Sequence, residues 1–143
     1  MMDWQRALLE VARVARLATV DAHGQPHVVP IVFALDGERV LTPLVGKPKR
    51  VAGGELQRVR NIAANDRVAL VVDYYNEDWQ QLVWVQLRGR AALLTNGDAY
   101  TTGIALLHQK YAQYEHVPLD GRPLIEIVVE QVRGWRATPA SER

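Results

Sequence analysis

A mainly β fold with some helix, an antiparallel barrel closed or nearly closed and covered by helices at its ends, is what this sequence predicts. Three observations carry that prediction. Short apolar runs rich in β-branched residues recur between Gly- and Pro-bearing turns. The runs follow the order β-β-β-α-β-β-α-β after an opening helix, with no repeat, linker or low-complexity segment. The 143 residues form one domain by length, which buries roughly two thirds of the unfolded surface, with a tail at 138–143.

Asp3 to Ala15 reads as an amphipathic helix with Asp3 as N-cap and Trp4, Leu8, Val11 and Ala15 on one face. Leu17 to Val20 and His27 to Leu35 are two strands of a hairpin across the turn Asp21-Ala-His-Gly-Gln-Pro26. Asp36-Gly37 then turns the chain into a third strand, Arg39 to Val45. Leu56, Val59, Ile62 and Ala63 describe a short helix. Arg67 to Tyr74 has almost no polar alternation and predicts a strand buried on both faces. Trp79 to Leu94 is one bent strand or two joined near Gly89. Tyr100, Ile104, Leu107, Tyr111 and Tyr114 step by four and three, a helix with Asn96 as N-cap. Leu124 to Val132 alternates as a last strand.

Composition excludes several chemistries. The 48% apolar and 23% charged residues are ordinary for a globular protein, and the net charge of +1 sets up no global field toward nucleic acid or anionic membrane. With no cysteine there is no disulfide, thiolate nucleophile or iron–sulfur cluster. His27, His108 and His116 have no carboxylate or second histidine at ligand spacing, so no metal site is expected. The start lacks an apolar segment bounded by a cleavage site, and no apolar run approaches the roughly 20 residues that span a bilayer. The expectation is a cytoplasmic protein without membrane partner. A nucleic-acid-binding barrel would want basic residues interleaved with exposed aromatics on its strands, and these strands are mostly apolar.

The stretch Leu17-Ala-Thr-Val-Asp-Ala-His-Gly-Gln-Pro-His-Val-Val-Pro-Ile-Val-Phe33 resembles the opening hairpin of the pyridoxamine-5'-phosphate-oxidase-like, FMN-binding split barrels. Lys49, Leu56, Arg60-Asn61 and Asn65-Asp-Arg-Val68 resemble that family's phosphate-binding basic residue and short helix, with Asp66 in place of the usual proline. Lys47-Pro-Lys-Arg50, Asp73-Tyr-Tyr-Asn-Glu-Asp-Trp79 and the terminal Gly134-Trp135-Arg136 lean toward the members described as F420-dependent. The resemblance implies a six-stranded antiparallel split β-barrel flanked by helices. It implies a homodimer holding FMN or coenzyme F420 in a groove between subunits, and an oxidoreductase acting on a small substrate.

Lys47, Lys49 and Arg50 stand on a Gly- and Pro-constrained loop suited to an anionic phosphate or glutamate tail, and the helix that follows offers free N–H groups. A solvated basic loop is the bland alternative. Arg58 and Arg60 could extend the basic track, and Arg60 and Asn61 fall in the resembling segment. By carry-over, Pro30, Ile31, Val32 and Thr42 are cofactor contacts, although a core strand with an edge proline fits the same letters. Trp79, Trp84 and Trp135 are candidates for a substrate pocket or for core and interface. His27 is the weak candidate for a proton donor. No Ser-His-Asp order or paired-carboxylate signature appears, which suits an enzyme whose cofactor does the hydride chemistry. A non-catalytic binder of flavin, F420 or haem is the alternative.

Overall fold

Seven antiparallel strands form one sheet in the order β2-β1-β5-β6-β7-β4-β3. The computed structural model describes residues 1–44 and 56–137. The elements are α1 (Asp3–Val11), β1 (Ala15–Val20), β2 (Pro26–Ile31), β3 (Ala34–Asp36), β4 (Arg39–Pro43), α2 (Gln57–Ala64), β5 (Arg67–Tyr74), β6 (Val83–Leu94), α3 (Asp98–Lys110) and β7 (Leu124–Arg136). The two edge strands, β2 and β3, follow one another in the chain and are separated only by Val32 and Phe33. The sheet must therefore curl until its edges meet at that dipeptide. Among the described residues no ladder joins β2 to β3, so the barrel is split and not closed by pairing.

The expected second strand, His27 to Leu35, is two strands, which raises the count from six to seven. Its backbone is taken out of the ladder by side chains. The Thr42 hydroxyl donates to the Val32 carbonyl at 2.8 Å, and the Phe33 N–H donates to the Tyr111 hydroxyl at 3.2 Å. That hydroxyl in turn lies 2.9 Å from the Arg13 carbonyl and 3.1 Å from the Phe33 carbonyl, sharing its proton between them. Tyr111 thus fastens the barrel seam to the segment between α1 and β1.

Other boundaries also move. Met2, not Asp3, caps α1, and Gln5 reaches back to accept from the Met2 N–H at 2.8 Å. The helix stops at Val11 because Ala15 is already paired with Ile31 in the β1/β2 ladder. Trp79 to Gln81 is a 3-10 turn before β6, held by the Asp78 carboxylate, which accepts from the Gln80 N–H. The bend in β6 is where the sequence places it. The β6/β7 register shifts between Arg88 and Gly89, and a Cβ at position 89 would collide with the Val128 carbonyl. Gly97, with φ of 95°, caps α3 in place of Asn96. Tyr114 lies on the 3-10 turn Ala112–Glu115 that follows α3, and β7 runs four residues past Val132.

The barrel interior is filled by Leu17, Phe33, Leu70, Val85, Leu87 and Ile127, each at most 2% exposed. A second cluster seats α3 against β4 and β7 through Leu41, Leu107 and Leu124. The strand Arg67–Tyr74 stands where expected, but only one face is buried. Val68, Leu70 and Val72 point inward, whereas Ala69 and Val71 are half-buried on the outside.

Candidate cofactor and substrate site

Cross-strand register sets out the outer face of the barrel. Pro30, Arg16, Val71, Gln86 and Arg133 stand side by side on β2, β1, β5, β6 and β7. Directly paired residues share a face of the sheet, so this is one continuous row. Val28, Ala18, Ala69, Arg88 and Gln131 form the next. Among the described residues, α1 packs against β3 and β6, α2 against β1 and β6, and α3 against β3. The outer face carries half-buried and exposed apolar groups, Val28 among them at 61% exposure, interleaved with Arg16, Gln86, Arg88 and Arg133.

At the β2 end of this face, Pro30 is exposed and Ile31 is turned into the core. Because β2 is an edge strand, the missing proline N–H costs no ladder bond. The Thr42 side chain is buried and committed to the Val32 carbonyl. Side-chain contacts with a ligand are thus open to Pro30 and Val32, and Ile31 and Thr42 act through the backbone they position.

A polar group closes the barrel end beside α2. Asn61 is 1% exposed and donates to the Thr19 hydroxyl at 2.9 Å, while its Oδ1 accepts from Gln57 at 2.7 Å. Arg60 donates to the Gln57 Oε1 at 2.6 Å. Asn61 is thus held between helix and barrel wall. His27 pairs with Thr19 in the ladder and shares its inward side. Arg58 lies one turn before Asn61 and Ile62, on the same face of α2. Among the described residues, His27 Nδ1 and Arg58 Nε are buried with no hydrogen-bond partner. Burial pushes the Arg58 guanidinium pKa below its ordinary value. An unmet buried polar group is costly, and the Arg58 Nε–H is a donor suited to an anionic ligand. The Leu56 cap of α2 makes no side-chain hydrogen bond. Lys47, Lys49 and Arg50 precede α2 in the chain, outside the described residues.

The tryptophans separate. Asp73, Trp84 and Trp135 are direct cross-strand neighbours on β5, β6 and β7. With Val71, Tyr74, Tyr75 and Leu82 they line a shallow cleft of about 270 Å³. Trp79 is 68% exposed and stands apart on the 3-10 turn. Sequence reading alone does not pick out Asp73, Tyr74 and Tyr75 as lining residues. Their signal is the paired tyrosines at the end of an apolar strand. Pro30 and Trp84 are three strand spacings apart, about 14 Å at ~4.8 Å each.

A family model described as pyridoxamine 5'-phosphate oxidase matches residues 1–136. A 5a,11a-dehydrotetracycline/5a,11a-dehydrooxytetracycline reductase of Streptomyces rimosus is 50% identical over 58 residues, 41% of this chain. The match spans only 38% of that relative's length. Among solved structures, the conserved hypothetical protein Rv2991 from Mycobacterium tuberculosis superposes with a TM-score of 0.76 at 18% identity, covering 96% of this chain and 86% of that one. The heme storage protein HutZ from Vibrio cholerae gives 0.69 at 18% identity, covering 96% and 95%. At such identities the likeness is one of fold.

Proposed function

The chain belongs to the pyridoxamine 5'-phosphate oxidase family, and we propose that it is a homodimeric oxidoreductase using coenzyme F420 or FMN to reduce a small unsaturated or carbonyl-bearing substrate. The observation that carries the reading is the pair of buried nitrogens without a partner among the described residues, His27 Nδ1 and Arg58 Nε, at the barrel end beside α2. The name of the Streptomyces rimosus relative, a reductase of a dehydrotetracycline, supports reduction of an unsaturated compound.

Bound in this site, the flavin or deazaflavin supplies the hydride. The chain's own residues position and shield. Arg58, with Lys47, Lys49 and Arg50, holds the cofactor's anionic end, helped by the first N–H groups of α2. Asn61, fixed by Thr19 and Gln57, keeps α2 and Arg58 at the right depth. The Pro30–Val32 edge borders the ring. Trp84 and Trp135 wall the substrate and exclude water. His27 is the candidate to carry a proton to the substrate. Pro30 and Trp84 lie far apart within one protomer, so a second copy laid across the outer face brings its aromatic cleft over the first copy's Pro30 edge. Homodimerisation completes the site in this reading.

The test is a fluorescence titration of F420 and FMN side by side on the wild type and on a Lys49→Ala, Arg50→Ala double variant. Tight binding of one cofactor, weakened at least about tenfold in the variant, supports the reading and selects the cofactor. Binding of neither sinks it. Binding of a cofactor or of haem without turnover, on a panel of enones and aldehydes, makes the protein a carrier.

A further inference from the structure

A cleft of about 460 Å³, sharing no lining residue with the cleft at Trp84 and Trp135, opens between α1, β3 and α3. Its lining combines the apolar Ala34, Leu35 and Leu106 with the polar Glu10, Gln109 and Lys110. We infer that this cleft binds a small carboxylate with an aliphatic body, the Lys110 ammonium taking the carboxylate and Leu35 and Leu106 the body. The inference goes beyond the cofactor site and shares none of its residues.

Four features carry it. Lys110 is the only lysine among the described residues, and no carboxylate lies within ion-pair distance of it there. The ammonium is half-buried, 3.3 Å from the Leu9 carbonyl and 3.9 Å from the centre of the Phe33 ring. One protein acceptor and one ring face leave donor capacity toward the cleft. The Arg13 guanidinium lies 4.7 Å from the centre of the Tyr111 ring, and Lys110 lies 5.5 Å from the same centre. Two cations therefore crowd one phenol, with Glu10 the single opposing charge in reach, and an added carboxylate relieves their repulsion. Finally β3 is the edge strand of the sheet, which leaves outward-facing backbone groups beside Leu35 to bond a ligand.

Burial, with Arg13 adding to it and Glu10 opposing it, pulls the Lys110 amine down to a pKa of about 8. The amine is still mostly charged at pH 7, so the carboxylate binds there. Binding must weaken as pH climbs past the free amine's pKa, because only the ammonium pairs with the ligand. Tyr111, whose own pKa burial raises, stays neutral in that range.

Hexanoate is the probe, with acetate and hexylamine as controls. The chain has three lysines, Lys47, Lys49 and Lys110, so acylation by dilute acetic anhydride can be read at each by peptide mass spectrometry. Hexanoate is expected to slow labelling of Lys110 and leave Lys47 and Lys49 unchanged. Calorimetric affinity should rise about fourfold for each buried methylene between butanoate and hexanoate. It should fall about sevenfold from pH 7 to pH 9.5, approaching the loss in Lys110→Met. Lys110→Met should lose about tenfold and Lys110→Arg should keep most of the binding. Equal protection of all three lysines, no protection at saturating hexanoate, equal binding of hexylamine, or unchanged affinity in Lys110→Met would each overturn the inference.

Discussion

The two faces of β5 and β6 differ in composition and in fate. Inward, Leu70, Val72, Val85 and Leu87 are at most 2% exposed and fill the barrel. Outward, Ala69 and Val71 are half-buried, and Trp84 on β6 is 37% exposed beside Trp135 at 48%. The charged and polar residues Arg67, Gln86, Arg88 and Arg90 mark the outer face, so the apolar groups left exposed between them are the ones the chain does not use to fill its core. The inner face packs with the inner faces of the five other strands to form the core. The outer one stays half-buried or exposed among the described residues, and in the proposed function a second copy and a cofactor cover it.

That contrast can be broken by substitution. Leu87→Ala should cost about 3 kcal/mol of unfolding free energy, from lost transfer energy and a cavity the barrel cannot collapse. Urea melts of the purified variant measure it. Tyr111→Phe should cost about 2 kcal/mol, since the Phe33 N–H and the Arg13 carbonyl lose their partner at the seam. The same melts read the loss, and a change below a few tenths would mean water replaces the hydroxyl. Trp135→Ala should change monomer stability by less than about 1 kcal/mol, as for an exposed side chain. In sedimentation velocity it should shift the chain from dimer toward monomer. If Trp135→Ala destabilises as much as Leu87→Ala while the mass stays unchanged, the distinction between the faces is lost.

The smallest effect concerns pH. The folded pKa of Lys110 lies below its value in an unfolded chain, so between about pH 8 and 10 the unfolded state binds more protons. The contribution of Lys110 to stability therefore rises with pH across that window. The wild type's Tm should gain on that of Lys110→Met from pH 7 to pH 9.5 in paired thermal melts. A constant difference would mean that Lys110 is as well hydrated folded as unfolded.

Much of the architecture was legible because it is written locally. The Asp21–Pro26 turn forms as the residues suggest, with the Asp21 carboxylate accepting from the His23 and Gln25 N–H groups at 2.8 and 2.9 Å. Those bonds hold its pKa below the usual carboxylate value. The strand Arg67–Tyr74 and the bend at Gly89 were likewise readable, from a run of β-branched residues and from one glycine inside a strand pattern. The split of the second strand was not. It depends on Thr42 and on Tyr111, the latter 78 residues away from Phe33, and period-2 alternation continues through Val32 and Phe33 without a mark.

The candidate site divides in the same way. Residue types pointed to His27, Trp84 and Trp135, and the family resemblance pointed to Pro30 and Asn61, because both readings need only the order of residues along the chain. Only the register of β5, β6 and β7 puts Trp84 beside Trp135 and Asp73, and leaves Trp79 outside. Only the docking of α2 on β1 shows that the amide of Asn61 is spent on Thr19 and Gln57, whereas Arg58 and His27 keep buried nitrogens unmet. The sequence by itself determined which segments are strands and helices and which residue types could do chemistry, since backbone preference and side-chain periodicity act over a few residues. The tertiary structure decided which of those residues meet and which are already satisfied, because hydrogen-bond partners and burial are set by contacts between segments far apart in the chain.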